Sequence, residues 1–285
     1  MNIKLSIFLL AFVFSGCFQQ IAVNSLGGIM DDGFEVLNEE QDLQIAQISI
    51  ASNLKLIETL LRNNPENPHY LLLASMGYSS YSLGFVESDS LERARFLYER
   101  GKEYGMRILA AKERFAHALK GDLESFRQAL STFGRGDVPA VFWTAVGWGS
   151  AISLNLTDPD AIAELPKVEA MMQFVLREEP SYFHGGAHFF LGTLAGSRPK
   201  MLGGNPDSSR SHFEECLKIN GGKFLMTYVY YARSYAVQTQ DRELFGKCLD
   251  KVDSSSIDIL PGARLSNAIA KNKAKLLRSK TEELF

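Results

Sequence analysis

The chain lacks the motifs that would announce an enzyme. It contains no G-x-S-x-G elbow and no HExxH pair, and its three cysteines form no arguable Cys-His nucleophile pair. GxxxxGK[ST] is absent too, and no strand pattern precedes the glycine-rich stretch GSRPKMLGGN, so a nucleotide-binding phosphate loop has no support. An excess of one charge is also missing: 30 Lys+Arg stand against 33 Asp+Glu, a net charge of −3 with both signs interspersed. That leaves no electrostatic footprint for nucleic acid and no polybasic patch for a membrane surface. Strand alternation is nearly absent, and nothing in the pattern calls for a cofactor. What remains is 46% apolar residues over 285 positions, enough for one large or two small hydrophobic cores.

The first residues are specific. Lys4 precedes an apolar run from Leu5 to Phe14 that only Ser6 interrupts, and Ser15-Gly16-Cys17 follows. Such a run is about half the roughly 20 helical residues a bilayer crossing needs, so it reads as an export signal. Its Phe-Ser-Gly-Cys ending resembles a bacterial lipobox, with Phe14 where leucine is usual. Cys17 is then the lipidated first residue of the mature chain; the alternative is an ordinary secretory signal cut nearby. The resulting division is 1–16 signal peptide, 17–34 lipidated tether and 35–285 folded domain. Export would allow Cys216 and Cys248 to pair. They occupy matching positions on two helices, however, and packed axes lie about 8–10 Å apart while a disulfide wants Cα atoms within about 7 Å. Two buried free thiols are expected.

Apolar residues recur at three and four. Leu43, Ala46, Ile50, Leu54, Ile57 and Leu61 form one stripe that ends at Asn63-Asn64-Pro65. Another runs from Leu91 through Ile108, Ala111 and Phe115 to Leu119, opening at Asp89 with Glu92 three residues on. Further helices are expected near 68–84, 122–133, 140–154, 161–178, 183–196, 206–219, 224–239, 241–251 and 264–283, separated by Gly and Pro turns.

Helices of similar length invite a search for repeats. Trp143, Val146, Gly147 and Ser150 match the first-helix spacing of the tetratricopeptide signature, and Ala170, Phe174, Arg177 and Pro180 approximate the second. Met76-Gly77 with Ala94, Tyr98 and Gly101 repeats the order, as does Leu191-Gly192 with Ser209, Phe213 and Cys216. Small residues let helices approach, and aromatics fill the grooves between pairs. The expected fold is all-α: tetratricopeptide-like helix-turn-helix repeats stacked into one compact α-solenoid domain.

Three constellations could carry chemistry. His184 and His188, four apart, could share a helix face as metal ligands, yet no carboxylate stands between them, and packing or cavity-lining roles suit them better. Arg198 and Lys200 lie in a glycine-bounded turn before a helix that Asn205 or Asp207 would cap; an anionic ligand or partner remains open there. The aromatics are more suggestive: Phe142, Trp143 and Trp148 crowd one helix, Tyr182, Phe183, Phe189 and Phe190 the next pair, and Tyr228, Tyr230, Tyr231 and Tyr235 another. Most serve repeat packing, but they are too many for one face. With Arg198, Lys200 and Arg233 near, they suggest an apolar pocket with a basic rim, drawn from Phe142, Trp143, Trp148, Tyr182, His184, His188, Tyr231 and these three cations.

The stretches DLQIAQISIASNLKLIETLLRNNPENPHYLLLASMGYSSYSLGFVE, VPAVFWTAVGWGSAISLN, YFHGGAHFFLGTLAGSRPKMLGGNPDSSRSHFEECLKIN and YVYYARSYAVQTQDRELFGKCL together resemble the T-component (TatT) family of tripartite ATP-independent periplasmic (TRAP) transporters. The resemblance implies a lipid-tethered periplasmic protein of cryptic tetratricopeptide-like pairs, forming a homotrimer with a pore or cavity in each subunit. It further implies a periplasmic solute-binding (P) component as partner, and it brings no catalytic residues. The rival expectations are a generic repeat lipoprotein that scaffolds envelope assembly, with its aromatics consumed by packing, and an enzyme with polar groups converging on His184 or His188.

Overall fold

A computed structural model describes residues 28–198, 201 and 203–285; Cys17 and Lys200 lie outside the described residues. The described elements are helical throughout, as expected, with no strand among them. A first helix, α1, covers 28–38 and spans the boundary placed at residue 35; Met30 and Phe34 on it pack against the body. Then follow α2 (Leu43–Asn63), α3 (Pro68–Tyr81), α4 (Leu91–Ala110), α5 (Glu113–Ala118), α6 (Leu123–Leu130), α7 (Val138–Ser153), α8 (Pro159–Ala163) and α9 (Leu165–Glu178). The chain continues through α10 (Tyr182–Ser197), α11 (Pro206–Asn220), α12 (Met226–Tyr230), α13 (Val237–Thr239), α14 (Arg242–Ser254), α15 (Arg264–Ser279) and α16 (Thr281–Leu284).

Local chemistry sets the helix starts. Asp42 accepts hydrogen bonds from the amides of Gln44 and Ile45, and Asn67 caps α3 ahead of Pro68. Asn205, ahead of Pro206, accepts from the Ser208 amide at 3.0 Å. Each cap satisfies donors that a helix start would otherwise leave open. Ser90, rather than Asp89, caps α4. The stripe read as one helix to Leu119 breaks at Lys112, whose extended backbone (φ −85°, ψ 107°) ends α4 and opens α5.

Small residues bring the helices close. A Cβ on Gly147 would stand 2.8 Å from the Lys102 amide nitrogen and 2.9 Å from the Tyr98 carbonyl oxygen, so α7 rests on the α4 backbone only because that position is glycine. Ser209 donates to the Gly192 carbonyl at 2.7 Å, joining α10 to α11. One core runs through Phe115, Phe126, Phe133 and Phe174, in edge or tilted ring contacts. A larger one joins α2 and α4 to α12–α15. Cys216 and Cys248 are both buried and free, and burial pushes their thiols up to about 11 and about 12.

Short 3-10 turns at Arg135–Asp137 and Ile257–Ile259 interrupt the α-helices. Ser82–Val86 and Tyr231–Ala236 are π-helical, each with a widened turn that rotates the following residues relative to an α-helical register. No described helix is long and apolar enough to cross a membrane.

Candidate functional site

Between α1, α3, α7, α10, α12 and α15 the helices leave a cavity of about 410 Å³. Its walls are mainly apolar: Phe34 and Leu37 from α1, Phe142 and Trp143 from α7, Phe189 from α10 and Ile269 from α15. Glycine shapes the aromatic wall. A Cβ on Gly186 would meet the Phe142 ring at 2.6 Å, and one on Gly149 would meet the Phe190 ring at 2.3 Å, so both rings lie directly on helix backbone. Both π-helical turns open onto this space, the first through Leu83, Gly84 and Phe85 with Glu87 just beyond, the second through Arg233 and Ser234.

The start of α10 is not helical. Phe183 (φ 47°, ψ 52°), His184 (φ 61°, ψ 31°) and Gly185 (φ 83°, ψ 30°) form a left-handed turn. Left-handed backbone costs roughly 1–2 kcal/mol per non-glycine residue, so Phe183 and His184 stay there because their surroundings hold them. The Phe183 ring lies edge-on to Trp143 with centroids 4.8 Å apart, and His184 stacks on Phe224 at 5.0 Å. The His184 carbonyl accepts from Asn220 Nδ2 at 3.3 Å and from Cys216 Sγ at 3.6 Å. Burial holds the His184 imidazole below its ordinary value, hence neutral at pH 7.

One end of the cavity is charged. Arg233 donates to Glu87 Oε1 at 2.7 Å, and the Tyr98 hydroxyl donates to Glu87 Oε2 at 2.9 Å. Arg233 is 45% exposed while Glu87 beneath it is 10% exposed, so the guanidinium marks a mouth and the carboxylate an interior. Tyr230, 5% exposed, lines the same space; its hydroxyl lacks a hydrogen-bond partner of good geometry, although Arg233 lies over its ring at 5.4 Å. Burial and then the Glu87 charge push the Tyr230 phenol up, so the hydroxyl stays a donor. Lys273, also buried, reaches Ser88 at 3.4 Å, and its pKa is lowered by burial against the opposing pull of Glu87. An unused phenol donor and the Arg233 guanidinium beside one carboxylate suit an acidic group on an apolar ligand.

The residues singled out from sequence divide. Phe142, Trp143, His184 and Arg233 line the cavity. Tyr182 stands behind Phe142 with rings 5.2 Å apart, and Tyr231 stacks on Phe213 at 5.0 Å. Trp148 packs on Phe126 in the other core, under the Lys102 ammonium. His188 pairs with His212, Nδ1 to Nδ1, at 2.9 Å. Arg198 lies in a separate polar cleft, bound to Glu169 at 3.0 Å and to the Leu194 carbonyl at 2.9 Å. No three His, Cys, Asp or Glu among the described residues gather as metal ligands would.

Sequence reasoning missed Glu87, Tyr98 and Tyr230. Glu87 and Arg233 meet across 146 positions, which no local pattern reveals. Tyr230 belongs to the tyrosine cluster of the sequence, but it closes α12 and lines the cavity, whereas its neighbour Tyr231 stacks on Phe213.

Comparison with curated proteins finds no match. The model of the TRAP transporter T-component (TAtT) family matches residues 39–285, which include α2 to α16 and all of the cavity wall except the α1 contribution. The chain belongs to the family of TRAP transporter T-components.

Proposed function

We propose that the protein is a lipid-anchored accessory component of a TRAP transport system, tethered in the periplasm through Cys17 and assembled as a homotrimer. It docks the solute-binding component and holds a small apolar or organic-acid ligand in the cavity; it is not an enzyme. Membership of the family supports the transport role at the coarser level. The observation that carries the ligand reading is the continuous apolar cavity of about 410 Å³ with Arg233, Glu87 and the free Tyr230 hydroxyl at one end. Its volume lies within the range of about 300–1,000 Å³ usual for ligand pockets. A protein that served only as an assembly scaffold would consume its aromatics in packing. Here the packed helices leave space between them instead.

The test has two arms. Native mass spectrometry of protein purified from its own cells should reveal a bound amphipathic acid, and Ser150→Trp, which fills the cavity wall, should abolish that mass while the helical circular dichroism stays. Affinity capture from detergent-solubilised envelope should recover a solute-binding protein. An empty cavity in both proteins sinks the ligand reading, and failure to recover the solute-binding protein counts against the docking role. Light scattering that gives a monomer at micromolar concentration would refute the trimer.

A further inference from the structure

We propose that the cleft between α6, α9, α10 and α11 is a second binding site, for a small polyanion carrying phosphate or several carboxylates. It has a volume of about 510 Å³ and is separate from the apolar cavity; Leu194 alone, among the described residues, lines both. Three guanidinium groups face it, from Arg127, Arg177 and Arg198, against a single carboxylate, Glu169. The chain as a whole is acidic, with net charge −3, so this local excess of cations is not a general property of its surface.

The guanidinium groups are largely uncommitted. Arg198 is 10% exposed in its side chain and uses Nε on the Leu194 carbonyl and Nη2 on Glu169. Arg177 uses only Nε, on neighbouring Glu178 at 3.0 Å, and packs over the Phe174 ring. The Arg127 side chain has no hydrogen-bond or ion-pair partner among the described residues, although its carbonyl accepts from the Ser131 amide at 3.0 Å. Arg198 Nη1 and both Nη groups of Arg177 are likewise unpaired among those residues. Each offers a planar fork that fits an oxyanion edge to edge.

The spacing favours more than one anionic group. Glu169, Gln173 and Arg177 succeed one another at four-residue intervals on α9, making one stripe along the cleft. From Glu169, where Arg198 is held, to Arg177 is about 12 Å at 1.5 Å of rise per residue. Cations therefore stand at both ends of the stripe, with the Gln173 amide between them. Asn205 and Ser208 from the opening turn of α11 add polar lining on the facing side. A monoanion would satisfy one end, whereas a polyanion bridges both. The predominantly polar lining suits a strongly hydrated ligand rather than the amphipathic one assigned to the cavity.

Titration calorimetry on the whole mature protein at low ionic strength, with pyrophosphate, citrate and acetate as probes, tests the assignment. One equivalent of pyrophosphate or citrate should bind, and acetate should bind far more weakly; which polyanion wins tells a phosphate source from a carboxylate one. Arg127→Gln/Arg177→Gln, whose side chains lie outside the cores, should weaken binding by at least about tenfold. Glu169→Gln removes the competing charge and should tighten it severalfold, an opposite effect that unfolding cannot mimic. Binding of an apolar carboxylate probe in the main cavity should be unchanged in these variants. No binding of either polyanion at millimolar concentration, acetate binding as tightly as they do, or an unchanged affinity in the double variant would each overturn the site.

Discussion

Asn220 Nδ2 donates to the carbonyl oxygen of His184 at 3.3 Å, tying α11 to the left-handed turn that begins α10. The same amide lies 3.3 Å from Thr227 Oγ1 and 3.5 Å from Cys216 Sγ, so one buried side chain connects the turn to α12 as well. Asn220→Ala should cost about 1–3 kcal/mol in urea denaturation, because the part-buried His184 carbonyl loses its amide donor. Gly185→Ala should cost about 1–2 kcal/mol although its Cβ would find ordinary 3.4 Å contacts; the penalty is the positive φ itself. Both should weaken an apolar probe in the cavity as Phe183 and His184 lose their placement. Unchanged stability and probe affinity in Asn220→Ala would show that the aromatic contacts alone hold the turn.

Asn267 should be the costliest polar residue to remove. It is 0% exposed; its Oδ1 accepts from the Leu225 amide at 2.9 Å, and its Nδ2 donates to the carbonyls of Lys223 and Ile257, each at 3.2 Å. One side chain thus satisfies three backbone groups in the segments that lead into α12 and α15. Asn267→Ala should destabilise by about 2–5 kcal/mol. Asn267→Asp should be no better at neutral pH, since it places a carboxylate against two carbonyls. An effect below about 1 kcal/mol for either variant would contradict this account.

How much of this was legible in the sequence depended on whether a local pattern controlled the feature. The α2 stripe and its stop at Asn63-Asn64-Pro65 were readable because period, cap and breaker agree. The break at Lys112 was not, because neither glycine nor proline marks it; Leu109 and Phe115 on either side face the same core and keep the apolar rhythm going. The helix expected near 183–196 starts otherwise, since Phe183 and His184 adopt left-handed backbone that neither prefers, and Trp143, Phe224, Asn220 and Cys216 hold them there. The aromatic wall was foreseen at Phe142 and Trp143. Its charged end was legible only at Arg233, part of the expected basic rim; Glu87 was not, since it follows a π-helical turn and meets Arg233 across 146 positions.

Stability should fall in two acid steps. Burial holds His184, His188 and His212 below the ordinary histidine value of 6.5; the His188 charge adds to the effect at His212, while Glu215 opposes it at His188. The unfolded chain therefore binds more protons between the folded values and 6.5, so this contribution is complete above about pH 6.5 and is lost as pH falls through the folded values. Glu58 governs the second step. Burial pushes its carboxyl up, but hydrogen bonds from Lys55, Tyr78 and Tyr104 and the charge of Arg100 prevail and hold it below 4.5. Its contribution is present above 4.5 and disappears as pH falls through the lowered value. Unfolding free energies measured from pH 8 to pH 3 should show both declines, and His188→Gln/His212→Gln should flatten the first. A flat profile between about pH 7 and pH 5 would refute the histidine assignment.

The Glu87–Arg233 pair makes the ligand assignment quantitative. Arg233 is the exposed member, so Arg233→Gln removes the charge at the cavity mouth while keeping an amide donor for Glu87. A fluorescent amphipathic carboxylate should then bind about 10–100 times more weakly, the loss of one charge-assisted hydrogen bond, while its neutral ester should bind with unchanged affinity. Glu87→Gln should act in the opposite direction on binding, because it frees the Arg233 fork while keeping an acceptor for the Tyr98 hydroxyl. It should also lower stability, since buried Lys273 loses the carboxylate that favours its charge. If Arg233→Gln weakens acid and ester alike, the guanidinium shapes the cavity without reading the ligand's charge. If Glu87→Gln weakens the acid, the carboxylate positions Arg233 for the ligand rather than competing with it.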